Sequence, residues 1–168
     1  MQSAPFEAET NPYRWVILAG VWLLYFSFGV ITASMAPLVR PIIDALSLDN
    51  ARMGVVLGAW PLVYVAAAIP CGAFLDKIGP RKALFVGMGI IAASGAARGL
   101  STSELKLIIA VAIFGFGGPI ISIGAPKLVN LWFTGRDRGM AMGIYVTGSN
   151  LGAVAALSLT NGVMMPLL

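Results

Sequence analysis

An all-α polytopic membrane bundle is the fold class this sequence predicts, and three observations predict it. Apolar residues fill 58% of the 168 positions and charged residues only 11%, against roughly 25% charged in an ordinary soluble domain. Five stretches each approach the roughly 20 residues needed to cross about 30 Å of hydrocarbon. None of them alternates apolar and polar residues as a barrel strand does, and helices alone otherwise satisfy their own backbone in lipid.

The first stretch runs near Trp15 to Ser34, and Pro37 and Pro41 are expected to close it. Residues 1–14 carry Glu7, Glu9, Asn11, Pro12 and Arg14, so they read as a polar tail without a removable signal peptide. The second stretch spans Met53 to Leu75 and the third Ala83 to Leu100, which a tight polar turn from Ser101 to Glu104 ends. The fourth spans Leu105 to Leu128, and Thr134 to Arg138 separate it from the fifth, Gly139 to Thr160. No repeat or low-complexity linker divides the chain, so residues 15–168 are expected to form one partial bundle.

The basic residues set an orientation. With the N-terminus in the cytoplasm, Arg14, Lys77, Arg81, Lys82, Lys127, Arg136 and Arg138 fall on or near the inner side, while Arg40, Arg52, Arg98 and Lys106 fall on the outer. Short inner flanks carry the excess of Lys and Arg, so an N-inside topology in a plasma membrane is expected. Trp15 and Trp132 then lie near the inner interface, where amphipathic rings settle. The same distribution excludes nucleic acid as a partner, because the basic residues punctuate apolar segments and form no patch interleaved with aromatics.

Other chemistries lack their residues. The chain has no histidine, and Cys71 is its only cysteine, which excludes an internal disulfide and leaves no metal or cofactor expected. No stretch carries Asp, Glu or His at mid-depth, so an intramembrane enzyme, which needs a nucleophile and base in register, is not expected either.

The loop between the second and third stretches, Gly72-Ala73-Phe74-Leu75-Asp76-Lys77-Ile78-Gly79-Pro80-Arg81-Lys82, is the most informative. Gly72 can let helices approach, Asp76 can accept charge-assisted hydrogen bonds, and Gly79 permits a tight reversal. Gly72, Asp76, Gly79 and Arg81 match the spacing of the signature loop of the major facilitator superfamily, which this segment resembles. A second likeness covers Gly115-Phe116-Gly117-Gly118-Pro119, Trp132-Phe133, Arg138-Gly139-Met140-Ala141-Met142-Gly143 and Gly148-Ser149-Asn150-Leu151-Gly152. It is similar to the cyanate and nitrate branch of anion porters in that superfamily.

The resemblance implies transport of a small solute, an anion first, by alternating access, with Gly72, Asp76, Gly79, Arg81 and Lys82 as a conformational latch. It also implies twelve helices, so the chain is expected to be an N-terminal portion whose partners are the lipid bilayer, a small-molecule substrate with or without a coupling ion, and the missing C-terminal half. Two features depart from the pattern. Val111 stands four residues before Gly115, where many members carry arginine, and Met53 to Leu75 lacks the anion-gripping arginine of nitrate carriers. A small membrane scaffold or assembly subunit without transport activity is the alternative reading.

Depth selects the candidate substrate pathway. Tyr25, Tyr64 and Asn150 fall near mid-membrane, where polar tips need partners, and Lys127 sits about a turn inside the inner end, placed to draw an anion. Arg98, near an outer end, is expected to anchor at the interface. The glycines read as packing surfaces: Gly139 with Gly143, and Gly148 with Gly152, lie four apart on one helix face. Gly115 and Gly118, beside Pro119, are expected to pack the fourth stretch and leave it able to flex.

Overall fold

The computed structural model describes residues 12–160 and 162, and among them it holds helices and no strand. The chain runs through α1 (Tyr13–Ala33), α2 (Met35–Leu46), α3 (Asn50–Ile78), α4 (Pro80–Gly99), α5 (Glu104–Trp132) and α6 (Gly135–Leu159). Most of the expected tail, residues 1–11, lies outside the described residues.

Local chemistry sets the breaks. Asp49 caps α3, its carboxylate accepting from the Arg52 amide at 2.7 Å, and Ser47 ends α2 in the left-handed region at φ 52°. Gly79 separates α3 from α4, and Pro80 occupies the first turn of α4, where a helix has no use for the missing N–H.

Pro37 and Pro41 do not close the first stretch. The helical run is interrupted only at Ser34, which keeps right-handed helical dihedrals and whose hydroxyl donates to the Ile31 carbonyl at 2.9 Å, and it continues as α2. Pro37 falls in the first turn of α2, where its missing N–H forfeits no helical bond, so only Pro41 interrupts the ladder.

Four helical segments are long and apolar enough to cross a membrane: Tyr13–Leu46, Asn50–Ile78, Glu104–Trp132 and Gly135–Leu159. With Arg81, Lys82 and Arg98 in its 20 residues, α4 is less apolar and falls outside that group. Ile69, Leu62, Val65 and Phe85 stand exposed on the outside of the bundle, as a lipid-facing surface requires.

Two packing units make up the bundle: α5 packs against α3 and α4, and α1 packs along α6. Glycine permits both. On α5, a Cβ at Gly115 would stand 2.7 Å from the Trp60 carbonyl oxygen of α3, and one at Gly118 would stand 2.7 Å from the Tyr64 ring. Gly117, on another face, would meet Ile91 of α4 at 2.7 Å. Backbones that approach this closely gain dispersion contacts, which drive helix association where lipid removes the hydrophobic incentive. Along the other seam, Gly148 would meet the Trp22 carbonyl at 2.5 Å, and Gly152 faces the Phe26 carbonyl with no room for a side chain.

Gly139 and Gly143 differ from Gly115, Gly118, Gly148 and Gly152 in this respect. A Cβ at either Gly139 or Gly143 meets nothing within 4 Å. Despite its two prolines and glycine cluster, α5 is one continuous helix of 29 residues.

Candidate functional site

One end of the bundle gathers the start of α1, the α3–α4 and α5–α6 junctions, and most of the charge. Gly79 turns the chain there at φ 83° and ψ 155°, a conformation essentially reserved for glycine. Asp76, near the end of α3, accepts an ion-paired hydrogen bond from the Lys127 ammonium on α5. Arg81, in the first turn of α4, lies over the Trp132 ring of α5 at 5.0 Å. Arg14 pairs with Asp137 of α6 at 3.1 Å and lies over Phe133 at 5.5 Å. Lys82 is exposed. Three cations thus tie the helices α1–α6, α3–α5 and α4–α5 at this end. Gly72 differs from the expectation of close approach, since a Cβ there would have only Ile123 as a neighbour, at 4.0 Å.

Midway along the bundle, residues of α1, α3, α5 and α6 line an open-sided cavity of about 310 Å³. Tyr25 and Phe28 of α1, Trp60 and Tyr64 of α3, Ser122 of α5 and Ser149 of α6 line it. The rings hold one another: Trp60 meets Tyr64 edge-on at 6.1 Å and Phe114 at 5.7 Å, and Phe28 stacks on Phe114 at 5.2 Å. Tyr25 meets Tyr145 edge-on at 4.8 Å. The Tyr64 hydroxyl hydrogen-bonds the Ser122 hydroxyl at 2.7 Å, and Ser122 in turn donates to the Pro119 carbonyl at 3.3 Å.

Of the expected pathway residues, the structure brings Tyr25 and Tyr64 together and leaves two apart. Asn150 is exposed and away from the lining, which its neighbour Ser149 joins instead. Lys127 is engaged with Asp76. Phe28, Trp60 and Ser122 were not singled out by depth, although Trp60 lies one helical turn before Tyr64 and thus on its face.

A second polar feature lies at the opposite end. Arg98, in the last turn of α4, turns into the bundle and does not anchor outward as expected: its Nη1 donates to the Ile31 carbonyl at 3.1 Å, and its guanidinium lies over the Phe114 ring at 5.1 Å. The difference follows from α4's packing, which also buries Ser94, one turn earlier, against the Ala110 carbonyl of α5.

The lining of the central cavity is aromatic and hydroxylated, with no carboxylate or cation in it. Among the described residues, no three His, Cys, Asp or Glu side chains converge to hold a metal.

Residues 18–165 match the family model described as Major Facilitator Superfamily. The chain is 28% identical over 146 residues to the D-galactonate transporter of Escherichia coli, covering 86% of this chain and 34% of that protein. To the hexuronate transporter of Bacillus subtilis it is 29% identical over 136 residues, 79% of this chain and 32% of the relative. To the nitrate/nitrite transporter NrtP of Picosynechococcus it is 29% identical over 140 residues, 83% of this chain and 26% of the relative. The chain therefore spans about a third or less of the length of these relatives.

Proposed function

This chain belongs to the Major Facilitator Superfamily, and from that premise we propose that it supplies part of the N-terminal half of a transporter for a small anion, an organic acid first. The central cavity carries the proposal. A pocket of about 310 Å³ at mid-bundle, walled by rings and carrying hydroxyls, suits a polyhydroxylated or compact solute, and transporter sites lie at that depth. The transporters of galactonate, hexuronate and nitrate named above favour an anionic cargo.

In this reading all five long helices cross the plasma membrane, α4 included, with its basic ends at the two interfaces. The N-terminus is cytoplasmic, so that the Gly79 turn, Arg81 and Lys82 lie inside. An apolar groove of about 500 Å³ between α1 and α4, lined by Val16, Gly20, Leu84 and Phe85, supports a further helix packing there from the remainder of the protein. Alternating access then rocks this bundle against a second one about the cavity. Asp76 and Arg81 act at the inner end as the latch, and Lys127 competes for Asp76 with groups of the second half. A coupling ion, where one is used, shares the same route.

The test is uptake of radiolabelled D-galactonate, glucuronate and nitrate, offered to proteoliposomes holding this chain alone and to cells expressing the whole reading frame that contains it. Saturable uptake of at least one anion is expected in the cells only, and it should fall at least tenfold with Trp60→Ala. No uptake of any of the three in either system would overturn the anion reading and favour a scaffold role, whereas saturable uptake by the chain alone would overturn its partial character.

A further inference from the structure

Among the described residues, the Arg98 guanidinium is the one strongly basic group that turns into the bundle at the end opposite the latch, and it has no counter-charge there. Among the described residues it makes no ion pair; its single protein hydrogen bond is to the Ile31 carbonyl. Its Nε is buried and has no acceptor. A guanidinium has five N–H donors and cannot shed its charge, so an interior position with most donors unanswered is costly unless an acceptor arrives.

Beside it is a space for one. A cavity of about 150 Å³ is bounded by Arg98 with Thr32, Ala36, Leu57, Trp60 and Phe114. The Arg98 guanidinium already rests on Phe114, which orients the planar group. Thr32 donates its hydroxyl to the Phe28 carbonyl at 2.8 Å, so its oxygen keeps lone pairs but offers the cavity no second donor. Binding there would therefore rest on the guanidinium. Trp60 borders this cavity and the larger central one alike.

We propose that Arg98 and this small cavity form an anion subsite, sized for a carboxylate or a planar oxyanion, beside the central cavity on the side away from the latch. A volume of about 150 Å³ is about five times the share of one liquid water, roughly 30 Å³, which admits a carboxylate group. An organic acid would place its carboxylate on the Arg98 guanidinium, a charge-assisted contact, and its hydroxylated remainder beyond Trp60. The subsite deepens the transport reading by giving the cargo's charge a first contact that the uncharged central cavity lacks.

The experiment titrates sodium acetate and sodium D-galactonate into the full chain, purified in detergent at constant ionic strength, by calorimetry with tryptophan emission followed in parallel. Saturable binding of both is expected. Arg98→Gln should weaken it at least tenfold, with Arg98→Lys intermediate because the charge remains and the fork is lost. Ala36→Leu, which adds bulk to the cavity wall and leaves Arg98 intact, should abolish binding with unchanged helical circular dichroism. That variant decides the matter if Arg98→Gln fails to fold. Absence of saturable binding to the parent chain overturns the subsite, as does affinity within twofold of the parent in either Arg98→Gln or Ala36→Leu. The two readings fail separately: uptake by the whole reading frame with binding indifferent to Arg98 sinks the subsite alone, and Arg98-dependent binding without uptake sinks the transport reading alone.

Discussion

Asp76 of α3 and Lys127 of α5 form an ion pair across the seam between their helices, at the end of the bundle that also holds the Gly79 turn. Both side chains stay well exposed, at 66% and 45%. Sequence position alone makes Asp76 a group awaiting the other half of a transporter and Lys127 a lure for an anion. The structure pairs each with the other, which turns two separate roles into one exchangeable contact: a partner that takes Asp76 must displace Lys127.

A contact this exposed contributes little to folding, on the order of 0–1 kcal/mol after solvent screening. Asp76→Asn and Lys127→Met are therefore each expected to change stability by less than about 1 kcal/mol, read from thermal or denaturant unfolding in detergent. Uptake by the whole reading frame should nevertheless fall severalfold in Asp76→Asn, since the latch works by exchange of partners. A stability loss of several kcal/mol together with normal uptake would make the pair structural.

The α1–α6 seam answers differently. Gly152 faces the Phe26 carbonyl with no space for a Cβ, while Gly143, on the same helix, has open space around it. Gly152→Val should destabilise the chain by roughly 1–3 kcal/mol through overpacking against backbone that cannot yield. Gly143→Ala should be neutral or stabilising by up to about 1 kcal/mol, because alanine is the better helix former. Unfolding midpoints of the two variants, measured side by side, check the contrast; equal losses would refute the packing assignment.

These two glycines also mark what the sequence can and cannot convey. Spacing of four residues places Gly139 with Gly143, and Gly148 with Gly152, each on one face, and the chemistry of the two pairs is identical. Which pair meets α1 depends on where that helix crosses α6, a tertiary fact with no local signature. The same limit separates Ser149 from Asn150: depth singled out the amide, but one residue turns a helix by about 100°, and only Ser149 reaches the cavity. Backbone chemistry was more legible. The glycine at the α3–α4 turn and the all-helical class follow from residue type, since lipid and positive φ each admit few solutions. Pro37 and Pro41 misled because a proline's effect depends on its position within a helix, and Arg98 misled because a long cation near a helix end can turn either way.

Tyr64 and Ser122 supply a test of the central cavity. Tyr64→Phe removes a hydroxyl whose hydrogen bond to Ser122 spans 2.7 Å, for a net loss of about 0.5–1.5 kcal/mol. Ser122 keeps the Pro119 carbonyl as an acceptor, so no polar group is stranded and the fold should persist. If the cavity receives substrate, the whole transporter carrying Tyr64→Phe should show a raised KM for its anion with little change in maximal rate. Unchanged kinetics would remove Tyr64 from the pathway and leave it as a helix-to-helix tie.

Gly79 allows backbone strain to be separated from crowding. Its φ of 83° and ψ of 155° fall where a side chain collides with its own backbone, yet a Cβ there would meet no other atom within 4 Å. The penalty for substitution is therefore intrinsic to the residue, roughly 1–3 kcal/mol, and should be nearly the same for alanine and serine, because surrounding space does not limit either. If the turn relaxes to escape the strain, the start of α4 shifts and Arg81 leaves the Trp132 ring, now 5.0 Å away. Gly79→Ala is thus expected both to lower the unfolding midpoint and to change tryptophan emission, whereas Arg81→Leu should reproduce the emission change with a smaller loss of stability. Alanine tolerated at position 79 without either effect would show that the turn is not held in the glycine-only region.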